Sequence, residues 1–509
     1  MEQQLQLPST LVFVCCLLFL LVRLKKGFTK SKGRNPKPLP GPWNLPFVGS
    51  MHHMAGQLPF RALRELTRKH GPLMLVRIGQ VDYAVASSRE AAEEILRKQD
   101  VTFASRPQFV AAQVIVYGAT DIGWTPYGPY WKQLRRICFV ELLGAKRVRS
   151  FSSIRTEETL DLMRDISRSE TAHVDLSEKL FGLANAIVCR AAFGKRWDRR
   201  ERFVTLVKET FELLGGLCLA DTFPSLNFLD ILTGSMSKMQ RVRRQMDDIL
   251  GEVIEEHEGK AATSNGEGVD EVEDLVDVLL RIKDDPKLEI PITADNVKAV
   301  ILDMFIAGTE TSSTVVGWAM SELMRNPSIM ERAQEEVREA MKGKNRVEDG
   351  GTSELKYMEL IIKETMRLHP PAPLLQRRCG ETCQVMGYEI EAGTRVFVNA
   401  WAIGRDPRHW DDAETFKPER FRGSSMGFNG LDLEYMPFGA GRRICPGIGF
   451  GLAVVELALA SLLLHFDWKL PDGMKPEELD MRETGGLVAS RKTELKLMAT
   501  TRIPLPATI

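Results

Sequence analysis

The chain is organised around the stretch from Pro437 to His465, PFGAGRRICPGIGFGLAVVELALASLLLH, in which a glycine-rich loop with one cysteine runs directly into a long apolar helix. Gly439, Gly441 and Gly447 permit backbone angles closed to other residues, so a flat group can lie close against the loop. Pro446 suits a first helical position, which places Cys445 at the helix N-terminus. Unpaired N–H groups and the positive end of the helix dipole favour a thiolate there, so the sulfur is poised as a ligand. Arg442 and Arg443, just before it, are placed to hold the acidic edge of whatever the sulfur binds. A cysteine near a core is also often a small hydrophobe and nothing more. The surrounding pattern has to decide between the two.

With 509 residues the chain has room for two or three ordinary domains or one large one. Its 68 basic and 68 acidic residues cancel, which argues against general nucleic-acid binding. Eight cysteines lie scattered without zinc-type pairing, which fits a reducing compartment. Leu7 to Leu24, LPSTLVFVCCLLFLLVRL, is just long enough to span a bilayer, for which roughly 17 to 25 residues are needed. Arg23, Lys25, Lys26, Lys30, Lys32, Arg34 and Lys37 form a basic flank that stays cytoplasmic. A cleaved signal peptide would carry its cations ahead of the apolar run and a small-residue cleavage site behind it, and neither is present. Residues 1–25 therefore read as a membrane anchor, 26–50 as a basic, proline-rich connector held stiff and extended by its prolines, and 51–509 as the catalytic body.

Along that body the pattern predicts a helix from Phe60, strands at Leu73 to Ile78 and Tyr83 to Ala86, and a helix from Ser88. Phe103 to Gly123 has few charges and no clear period. Trp131 and Arg135, in YWKQLRRIC, share one helix face. A second long helix starts after the N-cap Thr293 and runs to Arg325, where Asn326-Pro327 stops it, about 50 Å at about 1.5 Å per residue. At its centre, AGTETSS, Ala307 and Gly308 let a ligand approach the backbone, while Thr309, Thr311, Ser312 and Ser313 bond local carbonyls. Glu310 in such a helix needs a reason. Glu364 and Arg367, in KETMRLHP, are one turn apart and can pair.

Phe438, Gly441, Arg443, Cys445 and Gly447 match the Phe-x-x-Gly-x-Arg-x-Cys-x-Gly signature of the cytochrome P450 haem-thiolate loop, which this stretch closely resembles. The Trp131/Arg135 pair, AGTETSS, the Glu364/Arg367 pair and Pro418-Glu419-Arg420-Phe421 also match, in the family's order. The chain is similar to plant endoplasmic-reticulum members of the secondary-metabolism hydroxylase clan. That resemblance implies one domain, mainly α with a smaller β region, with haem b between the Thr293–Arg325 helix and the loop. It makes Cys445 the axial iron ligand. Trp131, Arg135, Arg377 and Arg443 would meet the propionates, and Phe438 and Gly439 belong to the loop that binds the cofactor. Thr311 would bond dioxygen and Glu310 relay protons, while Glu364, Arg367 and Arg420 would form a buried structural network. Gln376-Arg377-Arg378 stands where plant members commonly carry Pro-Arg-Glu, apparently one residue shorter, and Arg377 is the propionate contact by position.

The resemblance further implies electrons from NADPH through NADPH-cytochrome P450 reductase, with cytochrome b5 as a possible second partner. No dinucleotide or flavin fingerprint is present, which agrees. Lys132, Arg136 and Arg442 are the expected docking contacts, and the catalytic body is expected on the cytosolic side of the endoplasmic reticulum membrane. The residues the family places over the haem are Val114, Ile115, Val116, Leu213, Leu214, Leu217, Ile301, Phe305, Leu374, Leu375, Leu487 and Val488. This nearly all-aliphatic wall suits a sesquiterpenoid or diterpenoid, with Asp303 or Gln376 left to anchor one polar group. Phenolic, alkaloid or amino-acid-derived substrates, a reductase-independent haem-thiolate isomerase or dehydratase, and a non-catalytic haem sensor are the alternatives.

Overall fold

The computed structural model describes residues 37–506, apart from 169–172, 195–199, 217, 227–229, 231–232 and 264–272. The expected anchor, the first part of the connector and Leu217 lie outside the described residues. Helix α1 (Pro59–His70) opens with proline at its first position and buries Phe60, Leu63 and Leu66 beside a four-stranded sheet. That sheet is built from β1 (Leu73–Ile78), β2 (Val81–Ala86), β3 (Leu374–Arg378) and β4 (Arg395–Asn399), in the order β1-β2-β4-β3. The β1/β2 pair is antiparallel, but β2 runs parallel to β4, with Tyr83 opposite Arg395 and Ala86 opposite Val398. β3 lies antiparallel to β4, Leu374 facing Asn399 and Arg378 facing Arg395. With a side-chain period of two, this register puts Leu375 and Arg377 on one face. Leu375 packs there with Leu433, Met436 and Ala440, just ahead of Cys445.

The helices that build the site are α2 (Val110–Ile115), α3 (Pro129–Ile137), α4 (Leu176–Phe193), α5 (Arg200–Gly215), α6 (Ser235–Thr263), α7 (Ala294–Arg325), α8 (Lys356–Leu368) and α9 (Ile448–His465). α7 begins where the sequence places it: the Thr293 hydroxyl accepts from Asn296 N–H and the Asn296 side chain accepts from Thr293 N–H. It packs against α4 and α9, and Phe305 closes a cluster with Phe193 and Phe203 at ring separations of 5.2 and 4.6 Å. α7 and α9 are both long and apolar enough to cross a membrane, yet both are mostly enclosed in the protein body. A helix apolar on all sides must be covered by something, and here other helices cover it.

The Glu364/Arg367 pair forms the expected buried network. Both Glu364 oxygens accept from Arg367, at 2.7 and 2.8 Å, and one also accepts from Arg420 at 2.9 Å and from the Lys417 N–H at 2.8 Å. Arg367 also donates to the carbonyls of Gly404, Ala413 and Thr415. All five guanidinium protons of Arg367 have acceptors and both Glu364 oxygens have donors, the condition under which a buried ion pair is tolerated. It ties the segment leading to the cysteine loop onto α8.

Candidate active site

Gly439 (φ 75°) and Gly441 (φ 70°) occupy left-handed backbone, and a Cβ on Gly441 would stand 2.7 Å from an Asp100 carboxylate oxygen. Gly447, at φ −92°, needs no such freedom. It serves by closeness, because a Cβ there would lie 3.8 Å from Cys445 Sγ and its N–H donates to the sulfur. The loop closes where Cys445 N–H donates to the Phe438 carbonyl at 3.0 Å. Gly447 is the N-cap of α9, so the helix starts at Ile448, two residues past the expected Pro446. Cys445 is surrounded by protein yet keeps accessible surface, so its sulfur opens on an internal space. Burial pushes its thiol up, against the pull of the Gly447 N–H, Arg135 and Arg106. The expected helix-terminus preference for a thiolate is thus outweighed, and an ionised sulfur here needs a cation directly upon it.

On α7 the residues flanking the centre are buried, but Ala307 is exposed and Glu310 and Thr311 are half-buried, so this face also borders internal space. Thr311 Oγ1 donates to the Ala307 carbonyl at 2.6 Å. Gly308 also keeps accessible surface, and it has a second role in packing. A Cβ on it would meet Val188 Cγ2 at 2.9 Å, so its smallness lets α7 approach α4. Burial lifts the Glu310 carboxyl to about 7, with Lys208 pulling it down and Glu212 pushing it up. Thr309 is fully buried, and its hydroxyl has no partner.

Four guanidiniums converge on the cysteine loop: Arg106, Arg135, Arg377 and Arg443. None of them reaches a carboxylate at ion-pair distance among the described residues. Burial, with Arg106 and Arg377 beside it, lowers Arg443 to about 8, and burial next to Arg106 lowers Arg377 to about 9. Burial also lowers Arg106 and Arg135. Arg106 Nε is buried with no partner at all. Clustered buried cations of this kind require an anionic group to neutralise them. Arg443 donates to the carbonyls of Ala104, Ile122 and Thr125 and lies 4.2 Å over the Trp131 ring. The Trp131 N–H, expected at a propionate, donates here to the Ile122 carbonyl at 3.1 Å. Arg377 donates to the Gln376 and Ala440 carbonyls. Sequence reasoning missed Arg106, although it is the one cation between Phe103 and Gly123, and a lone cation in a stretch of few charges was the available signal.

Asp303 is not free to anchor a ligand. Its Oδ2 accepts from Ile122 N–H at 2.8 Å and Gly123 N–H at 3.3 Å, and burial beside Asp121 holds its carboxyl well above the usual range. Among the expected wall residues, Val114, Leu213 and Leu487 keep accessible surface. The end of α5 meets the Leu487 loop, since a Cβ on Gly215 would stand 2.9 Å from Leu487 N. Ile115, Val116, Ile301 and Phe305 are completely buried and are core, whereas Leu374 is half-buried and packs toward Phe60 and Trp401. Lys132, Arg136 and Arg442 are exposed, Lys132 and Arg442 both standing over the Tyr127 ring, with Arg442 also paired to Asp100.

An enclosed sulfur, a cluster of guanidiniums with no ion-pair partner among the described residues, and a helix face open between packed flanks are thus the features that the fold offers here. A family model described as Cytochrome P450 matches residues 38–497, and the chain belongs to that family. It is a plant-type monooxygenase whose cofactor is haem. The chain is 51% identical over 484 residues to premnaspirodiene oxygenase of Hyoscyamus muticus, covering 95% of this chain and 96% of that one. It is 48% identical over 487 residues to 5-epiaristolochene 1,3-dihydroxylase of Nicotiana tabacum, with the same coverage. A solved zebra fish cytochrome P450 with progesterone superimposes with a TM-score of 0.74 at 24% identity, covering 87% of this chain and 99% of that one, and shows the fold.

Proposed function

We propose that the chain hydroxylates a largely hydrocarbon terpenoid, a sesquiterpenoid before a diterpenoid, drawing electrons from NADPH through NADPH-cytochrome P450 reductase, with cytochrome b5 as an auxiliary donor. The observation that carries this reading is the pairing of an enclosed Cys445 sulfur with four unneutralised guanidiniums. Haem, when bound, supplies reduction of dioxygen and transfer of one oxygen atom to the substrate. Cys445 would ligate the iron, with Phe438 and Gly439 shaping the loop beneath it. Arg106, Arg135, Arg377 and Arg443, with Trp131 held flat under Arg443, would neutralise the two carboxylates. Thr311 offers a hydroxyl at the open face of α7, and Glu310, titrating at about 7, both gives and takes a proton at neutral pH.

The terpenoid assignment is supported by relatives named for a diene and an -ene hydrocarbon, and by an aliphatic wall in which Asp303 is already engaged. Residues 1–25 would anchor the protein in the endoplasmic reticulum membrane, 26–50 form the hinge, and 51–509 the cytosolic catalytic domain. Lys132, Arg136 and Arg442 would face the reductase. The test is microsomal protein with added reductase, NADPH and a panel of sesquiterpene hydrocarbons, alongside Cys445→Ala. We expect NADPH-dependent mono-oxygenated product, and loss in the variant of the reduced carbon-monoxide band of thiolate-bound haem. A variant that keeps that band sinks the ligand assignment, and turnover without NADPH supports the isomerase reading instead.

A further inference from the structure

Of the described cysteines, Cys138, Cys189 and Cys218 are buried and Cys445 belongs to the site above, while Cys379 and Cys383 stand against one another with their sulfurs 3.9 Å apart. Gly380, Glu381 and Thr382 separate them, and all three are exposed. Cys379 follows β3 directly and packs beside Val385, Ile390 and Val396. Cys383 opens a small antiparallel hairpin, Cys383–Val385 against Tyr388–Ile390, and is half-buried. A thiol in a core is often only a small hydrophobe, and Cys379 alone asks for no other account. A second thiol that touches it and keeps accessible surface does.

The backbone around Cys379 is pinned. Its N–H donates to the Thr394 carbonyl at 2.9 Å and its carbonyl accepts from Gly393 N–H at 2.8 Å. On either side of it, Arg378 N–H and Gly380 N–H donate to the carbonyls of Ser105 and Thr102, each at 2.8 Å. The sulfur is held less firmly, donating to the Glu381 carbonyl at 3.0 Å within the exposed turn. Closing the gap to a sulfur–sulfur bond of about 2.05 Å therefore falls to side-chain rotation and to a turn that contains glycine, and the strands stay in place. The two thiols are not equivalent. Burial pushes Cys379 up to about 12 and raises Cys383 as well, but the Cys379 thiol draws Cys383 back down. Cys383 is also the accessible sulfur, so it ionises and meets a reagent first, with Cys379 behind it.

We propose that Cys379 and Cys383 form a modification site: a dithiol that hydroperoxide closes to an intrachain disulfide, stapling the turn where the Arg377 strand is stitched to the segment leading to Arg106. The Cys383 thiolate attacks the peroxide, the O–O bond breaks, and Cys383 becomes a sulfenic acid as one water leaves. Cys379 then attacks that sulfur, a second water leaves, and the S–S bond forms. Two thiols have lost two electrons and two protons, and one hydrogen peroxide has become two waters. In a reducing compartment such a bond is transient, since small thiols reopen it by exchange.

The test treats the haem-loaded full chain with equimolar hydrogen peroxide, unfolds it in iodoacetamide and digests it with trypsin. No basic residue lies between Arg378 and Arg395, so both sulfurs fall in one peptide, Cys379–Arg395. That peptide is expected to lose two hydrogens, to resist alkylation, and to regain both thiols with dithiothreitol. In Cys383→Ser the remaining Cys379 is expected to stay open to alkylation at the same dose, and in Cys379→Ser the remaining Cys383 to take up oxygen. Oxidation of the exposed Met386 adds an oxygen to the same peptide and is told apart by mass. Two alkylated thiols in treated wild type would overturn the proposal, as would an oxygenated Cys383 beside an alkylated Cys379, or a disulfide joining two chains. The reduced carbon-monoxide band, recorded before oxidation, reports on the haem-site reading separately, and the thiol result stands whichever way that falls.

Discussion

Glu310 sits half-buried on the open face of α7, where loss of water lifts its carboxyl to about 7. Below that value it carries a proton and above it does not, so a proton relay through it weakens as pH rises through 7. Product formed per NADPH is expected to fall over that window in wild type, and to be lower and nearly flat with pH in Glu310→Gln; a variant with the wild-type profile would remove Glu310 from the relay. Asp303 is lifted as well, by burial and by Asp121 beside it. A raised folded-state pKa means the fold keeps a proton that the unfolded chain releases, so this stability is complete below the ordinary aspartate value and drains away as pH climbs toward the folded one. Asp303→Asn retains an acceptor for Ile122 and Gly123 and removes the titration. Thermal unfolding followed from pH 5 to 8 should lose part of its pH dependence, and an unchanged slope would contradict the assignment. Cys445, Thr311 and Glu310 were legible because a spaced motif names them. Arg106 was not, since only tertiary folding brings it beside Arg377 and Arg443.

Among the elements, α7 shows what a sequence reading can and cannot carry. Its ends were readable from the Thr293 cap and Pro327, since capping is local chemistry. The packing role of Gly308 was not, because the side chain that excludes a Cβ there belongs to Val188 on α4. Gly308→Leu should wedge the two helices apart and destabilise the protein by about 1–3 kcal/mol, the usual cost of overpacking. Adding Val188→Ala should recover part of the loss in urea denaturation, and no recovery would mean that Gly308 matters for another reason. α9 starts two residues late because Pro446 and Gly447 form a turn ahead of it. The register of β3 was beyond reach from LLQRR alone, as five residues with two adjacent leucines and two adjacent arginines do not alternate. Pairing with β4 decides it.

For the molecule as a whole, the Glu364–Arg367–Arg420 network fastens α8 to the long run that precedes the cysteine loop. Glu364→Ala would leave two guanidiniums in the interior without their carboxylate and should cost about 3–5 kcal/mol. The urea midpoint should drop accordingly, with poor haem retention on purification; a wild-type midpoint would show that the arginines find other partners. The mainly helical class followed from the resemblance that the spaced motifs carry. The sheet order was not legible, since β2 takes its parallel neighbour β4 from far down the chain. That pairing sets a clock on biogenesis. Ala86 and Arg395 are 309 positions apart (395 − 86), and a ribosome adding about 5–20 residues per second makes β2 wait roughly 15–60 s for β4 to emerge. During that interval the edge of β2 that β4 will cover keeps its N–H and C=O groups unpaired, which leaves it open to pairing with another chain.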